Sequence, residues 1–304
     1  MLFLLLGKVS GCARWMALLV AAGCFTSCAW LDFSSQSGKS TLWRVKGESN
    51  TVYLMGSVHI LPKAAYPLKP AMNRAFRDSQ RLVFEIPLGA DEQEKALRDT
   101  LRAGLYPKGE TLSENLTPET LAMLKGTLPY FNIPLEKLEP IRPWLVSDLL
   151  LNLYLEKQGY SADLGIDMYF LAAAQKSKKP ISALETVRDQ TVPFAKFSDR
   201  AADTYLRDTL SGLPFTVAWF RQMAAAWRGG DVPALEAVVL STQQKDRYFH
   251  KTVFTDRNDH WMPAIRGLIG RKDNYLVIVG AGHLVGQEGV VEQLRRAGFR
   301  VEQM

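Results

Sequence analysis

The stretch YLVIVGAGH, residues 275–283, is an apolar run that ends in two glycines and a histidine. Near the other end of the chain, VYLMGSVH at residues 52–59 follows the same order, with histidine three positions after a glycine. Continuous apolar runs bounded by glycine are typical of strands that are buried on both faces of a sheet. We therefore expect residues 51–55 and 274–279 to be central strands of one α/β sheet.

Other strand patterns lie toward the two ends of the chain, and the middle of the chain is helical. Short β-branched or apolar runs predict strands over 41–45, 81–86, 180–184 and 299–302. Apolar residues at helical spacing predict helices over 70–79, 91–101, 143–157, 165–177, 201–210, 215–227, 253–269 and 282–297, with a break at Pro263. The sequence thus predicts one α/β domain over residues 41–304. Its central mixed sheet is built from N- and C-terminal segments, and a large helical insertion covers about 117–240.

Composition excludes several classes of protein. Apolar residues make up 47% of the 304 residues and charged residues 22%, which is enough apolar material for a substantial core. Lysine and arginine outnumber aspartate and glutamate by 37 to 31, but the surplus is spread along the chain without a basic block. Nucleic-acid binding is therefore not predicted. Collagen-like, coiled-coil, disulfide-scaffold and polytopic membrane classes are excluded as well.

The N-terminus is typical of an export signal. Residues 1–23 contain two basic residues, no acidic residue and an apolar run, and the sequence AAGC at residues 21–24 follows. A basic segment, an apolar segment and small residues define a secretory signal peptide, and a cysteine at this point resembles the bacterial lipobox. We predict cleavage after residue 23, a lipid on Cys24, a tether over residues 24–40 and a location in the cell envelope or periplasm. Cys28 is a second candidate, and an uncleaved anchor is the alternative.

Two histidines and one glutamate are the candidate ligands of a metal. His59 and His283 each follow a predicted strand, and ligands of open α/β sheets bind beyond the carboxyl ends of strands. Glu85 lies in the apolar strand RLVFEI, where an ionised carboxylate needs a charged partner or a metal. Two histidines with one carboxylate form a common catalytic metal set. The alternative is a pair of hydrogen-bonded turn histidines and a glutamate in a salt bridge.

Five short motifs resemble the TraB/GumN family. They are GSVH at 56–59, the strand with Glu85, GID at 165–167, LET at 184–186 and GAGH at 280–283. The paired Gly-x-x-His motifs are shared with Tiki-type metalloproteases, and the wider superfamily includes erythromycin esterases and ChaN-like haem-binding lipoproteins. The resemblance covers residues 41–304.

This resemblance implies a metal-dependent hydrolase with a site made of His59, Glu85 and His283. The metal would be a divalent ion such as zinc, manganese or cobalt, and the substrate a peptide or another small molecule. Family members carry an arginine before the second histidine motif, which matches Arg257, and Arg142 is a second candidate. Either arginine would stabilise negative charge on a tetrahedral intermediate, and a structural ion pair is the equal alternative for both. The alternative is an envelope lipoprotein that binds haem or a metal without turnover.

Three further residues near these motifs receive predictions. Asp167 opens a predicted helix and is interpreted as its N-cap. Glu185 follows a predicted strand and is interpreted as an outer residue that supports the site, for example by orienting a ligand histidine. His260 shares a helix face with Arg257, three residues earlier, so it could approach the site, although a structural role is favoured. No cysteine occurs after Cys28, so the body of the protein has no disulfide or thiolate ligand.

Overall fold

The structure is a computed structural model that describes residues 38–87, 89–190, 197–245 and 247–304. The predicted signal peptide, Cys24 and nearly all of the predicted tether lie outside these residues. Among the described helices, none is both long enough and apolar enough to cross a membrane.

Six strands form a mixed sheet in the order β6–β4–β7–β2–β1–β8, and two short strands, β3 and β5, form a second sheet. The strands are β1 Leu42–Lys46, β2 Thr51–Ser57, β3 Leu61–Pro62, β4 Arg81–Phe84, β5 Tyr160–Ser161, β6 Ile181–Ala183, β7 Tyr275–Gly280 and β8 Val301–Gln303. Strands β6, β4, β7 and β2 are parallel, whereas β1 is antiparallel to both of its neighbours. The α/β fold with a sheet built from both ends of the chain is thereby confirmed.

Strands β2 and β7 lie side by side at the centre of the sheet. Leu54 on β2 is in register with Val277 on β7, and both side chains are fully buried. Nearly every residue of the two strands is buried, because helices cover both faces of a parallel sheet. The two apolar runs that decide the fold are therefore central neighbours, as predicted.

Helices make up most of the rest of the described chain. They are α1 Pro70–Asp78, α2 Ala90–Gly104, α3 Pro118–Phe131, α4 Pro143–Lys157, α5 Ile166–Lys176, α6 Asp199–Gly229, α7 Val232–Lys245, α8 Arg247–His250, α9 Asp256–Arg266, α10 Ala281–Leu284 and α11 Val290–Arg296. A π-helical segment, Lys251–Thr255, joins α8 to α9. Three-residue 3-10 turns occupy 63–65, 113–115, 135–137 and 162–164, and residues 187–190 form one further helical turn.

The buried side chains form two clusters. One contains the central strands and the helices on them, for example Leu54, Val277 and Phe170. The other lies within the helical block and includes Leu124, Leu150, Leu206 and Phe220 from α3, α4 and α6. Helix α5 and strand β6 pack with the sheet, so the middle of the chain returns to the sheet once before α6 begins.

Three predicted helix boundaries are wrong. Helix α6 runs through Pro214 from Asp199 to Gly229, and α9 continues through Pro263 to Arg266. Buried side chains on either side of each proline, such as Trp261 and Ile265 in α9, hold the helix across the lost hydrogen bond. The helix predicted over 282–297 is divided into α10 and α11, because Gly286 between them has a φ of +79°, outside the helical range.

Candidate active site

The carboxyl ends of β4, β7 and β2 lie side by side because these strands are parallel neighbours. Glu85 directly follows β4, and His59 is two residues beyond the end of β2. His283 is the third residue of α10, which begins immediately after β7. The topology therefore places the three predicted metal ligands at one edge of the sheet.

The three side chains surround the backbone of Gly280. A Cβ atom at Gly280 would lie 3.3 Å from Glu85 Oε1, 3.4 Å from His283 Cδ2 and 3.7 Å from His59 Nε2. The Gly280 N–H donates a 2.6 Å hydrogen bond to Glu85 Oε1. His283 Nε2 is 3.9 Å from the same carboxylate oxygen. A side chain at position 280 would therefore crowd the space that these groups share.

Helix α5 brings Asp167 to His59. The N–H of Ile166 donates to the Val58 carbonyl oxygen at 3.1 Å, and a Cβ atom at Gly165 would collide with the His59 carbonyl oxygen. Glycine at position 165 allows this close approach. Asp167 Oδ2 is 2.7 Å from His59 Nδ1. The interpretation of Asp167 as an N-cap is wrong, because Gly165 occupies the cap position and the carboxylate binds His59 instead.

Arg257 lies at the centre of the cluster and is buried. Its Nη2 donates to Glu85 Oε2 and to Glu185 Oε1, each at 2.6 Å, and its Nε donates to Glu185 Oε1 at 3.0 Å. Its Nη1 lies 3.1 Å from His283 Nε2 and donates to the Val253 carbonyl oxygen at 3.2 Å. The guanidinium thus joins two buried carboxylates to one of the two histidines.

The π-helical segment contributes to this arrangement. Val253 lies inside the segment, and its carbonyl oxygen accepts a hydrogen bond from the side chain of Arg257. The wider turn of a π-helix changes the ordinary helical hydrogen bonding and is frequent at functional sites. The segment therefore helps to fix Arg257 at the start of α9.

The hydrogen bonds of His283 define its tautomer. A guanidinium can only donate, so Arg257 Nη1 requires an unprotonated Nε2 on His283. The ring proton is then on Nδ1, which donates to Asn258 Oδ1 at 2.7 Å. His59 also directs Nδ1 to an oxygen, on Asp167, and its Nε2 faces the shared space beside Gly280. A hydrogen bond from Nδ1 to an oxygen leaves Nε2 as the coordinating atom in metal-binding histidines.

The charges in the cluster shift its pKa values in different directions. Burial and the nearby Arg257 lower the pKa of His283 to about 3. Burial also opposes the charge on His59, but Asp167 outweighs that effect and raises its pKa to about 9. For Glu85, burial is outweighed by Arg257 and both histidines, and the pKa falls to about 2. Burial raises the pKa of Glu185 despite Arg257. At neutral pH without a metal, His283 is neutral, whereas His59 and Glu85 are charged.

Two other candidate residues, Arg142 and His260, lie outside the cluster, and Glu185 supports it through Arg257. Arg142 precedes α4, its guanidinium lies 4.7 Å from the centre of the Tyr106 ring, and it does not line the pocket beside His59. Glu185 has the outer, supporting position expected of it, but it orients Arg257 rather than a histidine, and it accepts from Trp261 Nε1 at 2.9 Å. His260 is exposed on α9 and lies outside the pocket. Of the two predicted arginines, the structure brings Arg257 to the cluster.

Sequence reasoning missed two polar residues of the cluster. Asn258 Oδ1 accepts a hydrogen bond from His283 Nδ1 at 2.7 Å. Gln190 Nε2 donates to Glu85 Oε2 at 3.0 Å and to Glu185 Oε1 at 2.9 Å. Asn258 follows Arg257 directly, so its position next to a predicted site residue was the available signal. Gln190 had no such signal, because it reaches the cluster only through the path of the chain after β6.

The donor atoms fit a divalent metal, although the cluster is not a preformed cage. Within the described residues, no three histidine, cysteine, aspartate or glutamate side chains form a ready metal-binding group. Two imidazole Nε2 atoms and one carboxylate nevertheless face the same space, and each is fixed by an outer hydrogen bond, as metal ligands require. Arg257 Nη1 competes for the lone pair of His283 Nε2. Coordination by His283 therefore requires that contact to open.

The comparisons with known proteins agree with this arrangement of motifs. The model of the TraB/PrgY/gumN family matches residues 41–303. The chain belongs to the TraB/PrgY/gumN family. The resemblance drawn from the Gly-x-x-His motifs is thus confirmed, and the family match spans the whole sheet and the cluster.

Relatives within the TraB/PrgY/gumN family include named metalloproteases. The metalloprotease TIKI1 of Danio rerio is 24% identical, covering 92% of this chain and 65% of the relative. The metalloprotease TIKI2 of Xenopus tropicalis is 24% identical, covering 90% of this chain and 61% of the relative. The protein YbaP of Escherichia coli K12 is 25% identical, and the match covers 80% of this chain and 87% of YbaP. The chain therefore spans less than two thirds of the length of these TIKI relatives. No solved structure shows a significant match.

Proposed function

We propose that this protein is a metal-dependent hydrolase of the cell envelope that cleaves peptide or amide bonds. The observation that carries the proposal is the convergence of His59, Glu85 and His283 around Gly280 at the carboxyl edge of the sheet. The names of the TIKI relatives support a peptidase-like activity. Sequence identity near 24% leaves the substrate to be argued from the site itself.

His59, Glu85 and His283 would hold the metal, with zinc, manganese or cobalt as candidates. A divalent ion bound there would act as a Lewis acid and lower the pKa of a water molecule toward neutrality. Asp167 and Asn258 orient the two imidazoles from outside. Glu85 can serve as a ligand or as a general base, since both of its oxygens face the cluster.

Arg257 is the candidate for stabilising negative charge on the substrate. Its Nε and Nη2 are held by Glu185 and Glu85. Its Nη1 donates to the Val253 carbonyl oxygen and contacts His283 Nε2, so this second N–H would be free to donate to a substrate carbonyl oxygen once His283 bound the metal. A fixed cationic donor at the point where negative charge develops contributes strongly to catalysis. Glu185 and Trp261 act on this step by positioning the guanidinium.

A haem-binding function receives less support than hydrolysis. The pocket that the described residues enclose beside His59 and His283 has a volume of about 140 Å³. Sites for drug-sized ligands occupy roughly 300–1,000 Å³, and a porphyrin is at least of that size. Metal binding without turnover remains the alternative that the experiment must separate from hydrolysis.

Removal of the metal tests the proposal. We expect the purified protein to contain about one equivalent of a divalent metal and to cleave members of an internally quenched peptide library. Treatment with a chelator should abolish cleavage because the activated water depends on the metal, and adding back zinc, manganese or cobalt should restore it. Metal content is measured by inductively coupled plasma mass spectrometry, and cleavage by fluorescence. Cleavage that a chelator leaves unchanged would contradict metal dependence, and bound metal without cleavage would favour the carrier.

We also propose that the protein is anchored to a membrane by a lipid on Cys24. The AAGC sequence at residues 21–24 supports this proposal. Cells fed a fatty-acid label should incorporate it into the wild type and into Cys28→Ser, but not into Cys24→Ser. The intact mass should equal that of residues 24–304 plus the attached lipid. Label that persists in Cys24→Ser would place the anchor elsewhere, and unlabelled protein that begins after Cys28 would indicate simple secretion.

A further inference from the structure

The pocket beside the two histidines has one polar part and one apolar part. His59, Glu85, Arg257 and His283 line it at the strand ends. The other part, which we call the apolar wall, comes from α6, α7 and the π-helical segment. Its main side chains are Trp219, Phe220, Met223, Val238, Val239 and Phe254.

The apolar wall is in direct contact with the catalytic cluster. The centroid of the Phe254 ring lies 5.2 Å from that of the His283 ring. Helix α6 is attached to the end of β2, because Trp227 Nε1 donates to the Gly56 carbonyl oxygen at 2.7 Å. A group that enters the pocket from the cluster therefore meets the wall immediately.

The aromatic and aliphatic side chains of the apolar wall favour an apolar substrate group over a charged one. In the part of the pocket that the structure describes, every charged or imidazole side chain belongs to the cluster. A charged substrate group against the wall would lose its water without gaining a partner, which is unfavourable. An apolar group would instead exchange water for aromatic and aliphatic contacts. The volume of about 140 Å³ is close to that of an apolar cavity of about 150 Å³ that holds benzene, so it suits one side chain.

We propose that the apolar wall is a specificity subsite that accepts one aliphatic or aromatic side chain of a peptide next to the cleaved bond. This inference rests on the proposed hydrolase function, since it names the substrate class of the same site. It assigns to Met223 and Val238 a role in the choice of substrate. Both residues are half-buried, so their side chains can be changed with less damage to the core than that of Phe220.

The test compares peptides that differ at one position. A parent peptide is selected from the quenched library, and the residues flanking its cleaved bond are varied in turn to Gly, Ala, Leu, Phe and Lys. We expect kcat/KM for Leu or Phe to exceed that for Gly or Lys by about tenfold or more on one side of the bond. Val238→Phe, which narrows the pocket, should remove the preference for Phe and retain Ala. Met223→Ala should shift the preference to larger side chains.

Two controls separate the subsite from the hydrolase function. Gln222→Ala changes an exposed residue next to Met223 on α6 and should leave the peptide ranking unchanged. Binding of the same peptides, labelled and measured by fluorescence anisotropy, reports the preference without turnover. Apolar preference in binding that Val238→Phe removes, with no cleavage of any peptide, would support the subsite and contradict the hydrolase. The subsite would be overturned if peptides with Lys at the varied position were cleaved or bound as well as those with Leu. It would also be overturned if the wild type and Val238→Phe ranked the peptides in the same order.

Discussion

Arg257→Met is expected to lower the free energy of unfolding by about 3–5 kcal/mol. The guanidinium forms ion pairs of 2.6 Å with both Glu85 and Glu185, and all three side chains are buried. Methionine has a similar shape but leaves two carboxylates in the interior without their cation. Breaking a buried pair from one side leaves an uncompensated charge, which is far more unfavourable than losing an exposed pair. Urea unfolding at neutral pH measures the change.

Arg81→Met is the matched control for this effect. Arg81 Nε is also 2.6 Å from a carboxylate oxygen, on Asp273, but its side chain is 46% exposed. Water solvates both charges when this pair is broken, so we expect a much smaller change than for Arg257→Met. The two arginines thus share the geometry of the ion pair and differ in burial.

A second substitution tests the cause of the instability. Glu185→Gln in the Arg257→Met background removes one of the two unpaired carboxylates and should recover part of the lost stability. Gln can still accept a hydrogen bond from Trp261 Nε1, which now goes to Glu185 Oε2. If Arg257→Met matched Arg81→Met in stability, or if the second substitution destabilised the protein further, the account of Arg257 as the buried counter-ion would be wrong.

The sequence was sufficient to predict the sheet because its central strands have an unambiguous pattern. The apolar runs at 51–55 and 274–279 require burial on both faces, and only neighbouring positions inside one sheet provide that. The paired glycine–histidine turns then predicted that His59 and His283 emerge at the same edge. The apolar pattern of these two runs and the parallel pairing of β2 with β7 lead to the same arrangement, so the prediction of neighbouring central strands was correct.

Other features depend on contacts that local pattern does not contain. The resemblance matched Arg257 and left Arg142 as a second candidate, and only tertiary packing shows that Arg257 meets two buried glutamates whereas Arg142 lies against Tyr106. Pro263 does not end its helix, because buried neighbours hold the last turn. His283 was predicted to follow a strand, and the structure shows that it is 4% exposed and packs against Trp261 and Phe254. These outcomes depend on tertiary packing.

His59→Asn is expected to abolish metal binding and peptide cleavage while the fold is retained. The side-chain nitrogen of asparagine occupies nearly the position of Nδ1 in histidine, so it can still donate to the buried Asp167 carboxylate. The ring nitrogen Nε2 that faces the shared space beside Gly280 is lost. Because the substitution keeps the outer partner and removes the ligand atom, it separates coordination from stability.

Asp167→Asn provides the reference for the expected loss of metal affinity and of kcat/KM in His59→Asn. That substitution removes the charge of the outer partner but keeps both imidazoles, and changes of this kind reduce metal affinity roughly 10–100-fold. Loss of His59 Nε2 should reduce affinity and kcat/KM by more than this, because a ligand itself is missing. The readouts are a metal titration by isothermal calorimetry, peptide cleavage and the thermal melt.

His260→Asn provides the control, since His260 is exposed on α9 and lies outside the pocket. It should match the wild type in metal content, cleavage and melting temperature. His59→Asn should stay folded but melt below the wild type measured without metal, because Asp167 keeps a hydrogen-bond donor and loses the positive charge of His59. If His59→Asn bound the metal as tightly as His260→Asn does, His59 would not be a ligand. If it unfolded without loss of a bound metal, the pairing of His59 with Asp167 would be structural, and the cluster would hold its charges without a metal.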